Sequence, residues 1–120
     1  MSLDVYLTKV TRVPEQVIPE HTVEENLYSG NVTHNLGDMA KAAGIYEALW
    51  RPEEIFTNPK AGDIIPLLAK GLKMLKENPM YFQTLDAKNG WGQYVDFVPF
   101  VEKYLEACYA DPDAEISVSR

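Results

Sequence analysis

The sequence predicts an α+β fold: a mainly helical single domain over residues 1–120, with a small sheet pairing the N- and C-terminal strands. Three observations predict it. Both ends alternate apolar and polar residues with a period of two, and the long middle repeats its apolar residues at helical spacing. Proline and glycine divide that middle into segments of helix length.

Residues 3–8, LDVYLT, set Leu3, Val5 and Leu7 against Asp4, Tyr6 and Thr8, the pattern of a half-buried strand. At the other end Ile116 and Val118 alternate with Glu115, Ser117 and Ser119 behind the turn signal DPD. Neither segment is long enough to stand alone, so the two are expected to pair. Residues 10–18, broken by Pro14 and Pro19, read as an irregular edge strand or as loop.

A first helix is expected from Asn31 or Thr33 to about Trp50. Leu36, Met39, Ala43, Tyr46 and Trp50 follow a 3-4-3-4 spacing and form one apolar stripe. His34, Asp38 and Lys41 fall opposite it, as do Ile45 and Leu49. The second apolar face points to a sandwiched helix or to a partner chain, and so to a homodimer. Pro52 ends the helix, and Glu53 and Glu54 suit the first turn of a short following one.

A second helix is bounded by Gly62 and Asp63 at its start and by Asn78–Pro79 at its end, with Asp63 as the expected N-cap and Pro66 in the first turn. Ile64, Leu68, Gly71, Leu72 and Leu75 form its inner face; Lys70, Lys73 and Lys76 form its wet one. Pro79 restarts a short helix carrying Tyr81, Phe82 and Leu85. After AKNGWGQ, a last helix places Tyr94, Phe97, Val98, Val101, Leu105 and Cys108 on one side.

The composition narrows the function classes. The formal charge is −7 at pH 7, and residues 31–88 are neutral, so the acids gather at the two ends. Generic nucleic-acid binding needs a basic surface and is not expected. No apolar run approaches the roughly 18 residues of a membrane span, and the N-terminus lacks a signal-peptide pattern. Cys108 is the single cysteine. A cytoplasmic protein without internal disulfides is the expectation.

Two polar clusters are candidates for chemistry. The first is Asn31, Thr33, His34, Asn35 and Asp38 at the expected start of the first helix, where free N–H groups and partial positive charge favour a cap or a ligand. His34 and Asp38, four apart, can meet on a helix face, and such a pair can make a general base. No nucleophile motif stands beside them. The second cluster is Asn89–Gly90–Trp91–Gly92 with Tyr94, either a stacking platform or a tight turn with Trp91 plugging the core; average aromatic burial argues for the plug. Arg51 is a candidate anion ligand, or a partner of Glu53 or Glu54. His21 with Glu24 and Glu25, and His34 with Asp38, have metal-capable atoms but no spacing that specifies a metal. No metal and no cofactor is expected.

The segments SLDVYL, NVTHNLGDMA, GIYEALWRPEE, NGWGQY and SVSR resemble a family of small phage and prophage accessory proteins, over nearly the whole chain. That family brings no established activity. The resemblance implies a phage accessory protein in a bacterial host cytoplasm, by analogy a host-defence inhibitor or ligand sponge. The resulting expectation is a non-catalytic protein that binds a small anionic, nucleotide-like ligand, or a host protein. Asn31, His34 and Asn35 would hydrogen-bond the ligand, Arg51 would supply charge, and Trp91 with Tyr94 would stack. The alternative is a small hydrolase or lyase with His34 as base and Asp38 orienting it.

Overall fold

The alternating ends do become neighbouring strands. The computed structural model describes residues 2–12 and 22–120. In it β1 (Ser2–Arg12) is the central strand of an antiparallel sheet of order β2–β1–β3, flanked by β2 (Thr22–Thr33) and β3 (Glu115–Ser119). Asp4 faces Ser119 and Thr8 faces Glu115, so the two chain ends close side by side. Leu3, Val5 and Leu7 are fully buried beneath the helices, while Asp4, Tyr6 and Thr8 lie on the other, half-covered face. This is the α+β architecture that the alternation requires.

Strand β2 is a correction. The sequence pattern places a helix start in its last residues, yet Ser2 through Leu7 pair in register with Thr33 back to Tyr28. The register shifts between Leu7 and Thr8, which leaves Leu27 as an extra residue and changes which side chains face inward. Segment 10–18 joins β1 as far as Arg12; the rest of it, like His21, lies outside the described residues.

The first helix is also not continuous. A 3₁₀ turn at His34–Leu36 leads into α1 (Gly37–Ala42), and α2 (Tyr46–Trp50) follows a corner at Gly44. Gly44 has φ +78°, left-handed backbone that a side chain disfavours. Because the corner turns both short helices toward the same core, the apolar stripe survives the break. Ile45 and Leu49 are fully buried inside this chain, which removes the exposed second face that had pointed to a homodimer.

Helix α3 (Ala61–Glu77) starts two residues before the expected cap: the Asp63 carboxylate accepts from the Lys60 N–H at 2.9 Å, so Asp63 serves from inside the first turn. The Ala61 and Gly62 N–H groups donate to carbonyls of Ala114 and Pro112, which ties this helix start to the turn before β3. After the short α4 (Pro79–Gln83), α5 (Tyr94–Ala110) packs on α3 and on β2, and Tyr104 stacks on Tyr28 with centroids 5.8 Å apart. One core unites all the elements, with Leu36, Leu49, Leu68, Phe82, Phe97 and Val101 among its buried side chains.

Candidate functional site

The site forms where β2 gives way to the 3₁₀ turn. Thr33 keeps extended backbone, and its hydroxyl accepts from the Asn35 N–H at 3.3 Å, so Thr33 is the cap expected of it. The tight turn throws His34 toward α2. There Trp50, 3% exposed, donates its indole N–H to His34 Nδ1 at 2.8 Å. An indole nitrogen only donates, so neutral His34 carries its proton on Nε2 and presents that atom as a donor.

This geometry replaces the expected His34–Asp38 pair. The junction of 3₁₀ and α geometry breaks the four-residue stacking that a continuous helix would give. Trp50, not Asp38, hydrogen-bonds and orients the imidazole among the described residues. The lone pair that a general base needs is engaged by the indole.

Around His34 lies a cleft of about 750 Å³. Tyr46 and Trp50, one helical turn apart, stack in its wall with centroids 5.3 Å apart and planes 10° from parallel. Lys41 Nζ stands 4.7 Å from the Tyr46 ring centre. Among the described residues Lys41, Arg51, Lys88 and Arg120 all line the cleft, against Asp38 as the one acidic side chain lining it. Arg51 bonds Glu54 at 2.8 Å, and Arg120 bonds Glu53 and also donates to the Trp50 carbonyl at 2.8 Å. Even with Glu53 and Glu54 counted, four cations face three acidic side chains here among the described residues, in a chain of net charge −7.

The outer carboxylates hold the guanidinium groups in place. Glu54, followed by the nearby Tyr46 hydroxyl, pushes Arg51 further above its ordinary value. For Glu53, burial pushes the carboxyl up, but hydrogen bonds from Arg120 and the backbone, with the charges of Arg120 and Arg51, together bring it below its ordinary value.

A second hollow of about 540 Å³ adjoins the first, with His34 and Asn35 common to both. Ser2, Asn31, Thr33 and Trp91 complete it. The Asn35 amide donates to the Trp91 carbonyl at 2.8 Å, joining segments 56 residues apart. Gly92 is buried with φ +109°, and a Cβ there would lie 3.0 Å from Asn35 Cβ, so only glycine lets this loop seat so closely. Asn89 Oδ1 accepts from the Trp91 N–H at 2.9 Å and steadies the turn. The indole itself is 71% exposed, which overturns the core-plug reading.

The structure therefore brings Asn31, His34, Asn35, Arg51 and Trp91 together along two adjoining hollows. Tyr94 lines neither: its hydroxyl donates to the Leu75 carbonyl at 2.8 Å and its N–H to Asp86 at 2.7 Å, so it links α5 to α3 and to the loop before it. Tyr46, Trp50, Lys88 and Arg120 escape sequence reasoning. The Tyr46/Trp50 spacing signals an aromatic pair but reads as core. Arg120 arrives through β3 and carries no local signal. Among the described residues no three His, Cys, Asp or Glu side chains gather as a metal site, and no helix is long and apolar enough to cross a membrane. No family model, curated protein or solved structure matches this chain.

Proposed function

We propose that this protein binds a small anionic ligand in the cation-lined cleft and does not transform it. One observation carries the reading: four of the chain's eleven Lys and Arg residues converge on one concavity of an acidic molecule. A concavity of 750 Å³ lies in the range of small-molecule sites, which favours a small ligand over a host-protein surface. Two of the cations are guanidinium groups already oriented by carboxylates, a pre-organisation that lowers the cost of holding an anion. Engagement of His34 by Trp50 speaks for holding rather than for proton abstraction. A role as a phage-type ligand sponge in a host cytoplasm fits this reading and belongs to the same proposal.

Titration calorimetry with inorganic pyrophosphate tests it. Saturable binding is expected, weakened about fivefold by Lys41→Ala and by Lys88→Ala, each a largely solvent-screened contact. Pyrophosphate should be recovered unaltered after incubation. Absence of binding up to about 1 mM, or indifference to both substitutions, overturns the proposal.

A further inference from the structure

We infer that the two adjoining hollows take one ligand with two parts: phosphate groups among Lys41, Arg51, Lys88 and Arg120, and a flat heteroaromatic ring against Trp91. The inference rests on the anionic-ligand proposal and adds the ligand's class, a nucleotide. Three features carry it. First, His34 and Asn35 stand in both hollows, so a ligand bound in one lies against the wall of the other. Second, Trp91 is held out by construction: Asn89, Asn35 and two left-handed glycines, Gly90 at φ +77° and Gly92 at φ +109°, fix a loop whose indole remains 71% exposed. A large apolar face so displayed is suited to stacking.

Third, the groups beside the indole suit a ring edge. Asn31 spends its amide hydrogens on Ser2 Oγ at 2.9 Å and Asp4 Oδ1 at 2.7 Å, which leaves its carbonyl oxygen as acceptor. Asn35 gives one N–H to the Trp91 carbonyl and retains a second, and His34 offers Nε2–H because Nδ1 is taken. An acceptor beside two donors matches the mixed edge of an amino-bearing base. In the other hollow four cations outnumber the one acidic side chain lining it, Asp38, an excess of charged donors that matches phosphate oxygens.

The test compares ADP with inorganic pyrophosphate on the intact chain, since both carry a diphosphate and only ADP carries a ring. ADP is expected to bind at least tenfold more tightly, to displace pyrophosphate and to quench Trp91 fluorescence. Trp91→Ala, which removes a side chain 71% exposed, is expected to weaken ADP about tenfold and to leave pyrophosphate within twofold. Trp91→Phe should restore most of the loss. If pyrophosphate binds and ADP is no tighter, or if Trp91→Ala weakens both alike, the two-part site is wrong while the anionic-ligand proposal stands. If neither binds, both fall.

Discussion

Gly71→Ala should destabilise the fold, although alanine is the better helix former. In an unconstrained helix interior the change would gain about 1 kcal/mol. Here Gly71 is buried in α3 against the α1–α2 corner, and an added Cβ would lie 2.2 Å from Ile45 Cγ2 and 3.2 Å from the Ala43 carbonyl oxygen. Carbon atoms pack at about 3.5–4.0 Å, so the Ile45 methyl would have to retreat by more than about 1 Å. It cannot do so cheaply: Ile45 is fully buried, its branched Cβ fixes the rotamer, and the second obstacle is backbone. Overpacking of this kind costs about 1–3 kcal/mol, and the stiffness of both neighbours puts it near the upper end. Set against the helix gain, a net loss of about 2 kcal/mol is expected, or about 8 °C in melting temperature for a chain of this size.

Urea titration and thermal circular dichroism read that loss directly. In an Ile45→Ala background, where Cγ2 is gone, the same change should be neutral or stabilising by up to about 1 kcal/mol, giving a large coupling in the double-mutant cycle. Because Ile45 immediately precedes Tyr46, the single variant should also weaken pyrophosphate binding through displacement of the Tyr46–Trp50 wall. Wild-type stability in Gly71→Ala, or additive effects in the cycle, would refute the reasoning.

Gly92→Ala forces a side chain into left-handed backbone and against Asn35 and Thr33; a loss of about 1–3 kcal/mol is expected in urea unfolding, with Trp91 emission shifted. Cys108 is fully buried and its thiol is pushed up to about 12 by desolvation. The folded state thus keeps its proton where the unfolded chain loses it, so stability should fall above about pH 9, by up to about 1.4 kcal/mol per pH unit until the folded thiol ionises. Urea midpoints at pH 8 and 10 for wild type and Cys108→Ala check this, and iodoacetamide should label the thiol only on unfolding. Glu53 has the opposite sign: its lowered carboxyl stabilises above the ordinary carboxylate range and loses that contribution as pH falls through the depressed value. Glu53→Gln should therefore be less stable than wild type at pH 7 by under about 1 kcal/mol, given its solvent exposure, with the gap closing below about pH 4.

How much of this was legible depends on how far a pattern could run before the backbone changed. Helices α3 and α5 keep one period across 17 residues each, and that period marks both in the sequence. Leu3, Val5 and Leu7 met Ile116 and Val118 because period-two alternation survives in both segments. Strand β2 was lost because its bulge at Leu27 shifts parity mid-strand, and because Gly30 occupies a core-facing position with no side chain; a Cβ there would meet Tyr28 and Phe100. The corner at Gly44 was hidden for the reverse reason, since both short helices bury the same stripe. Trp91 defied the average because Asn89 and two left-handed glycines set its loop before burial is decided. The first polar cluster was visible in sequence, but its chemistry was not: whether Asp38 or Trp50 would reach His34 depends on one turn being 3₁₀ rather than α.

The cleft's charge is a property of arrangement, and that makes a claim about salt. Lys41, Arg51, Lys88 and Arg120 line the cleft proposed for the anion, whereas most of the chain's 18 acids are spread over a body 58 × 27 × 22 Å. At physiological ionic strength charges beyond about 8 Å are screened, so an anion meets mainly the cleft; at about 0.01 M the screening length reaches about 30 Å, and it meets the whole net charge of −7 as well. Attraction by near cations and repulsion by distant acids both grow as salt is removed, with opposite signs. Pyrophosphate affinity should therefore fall with added salt above about 0.15 M yet flatten toward 0.01 M, instead of rising along one straight logarithmic line. A straight line to the lowest salt would mean that the distant acids do not reach the site. In that case the anion's surroundings would owe their sign to the four lining cations alone, with the acidic remainder of the surface serving solubility.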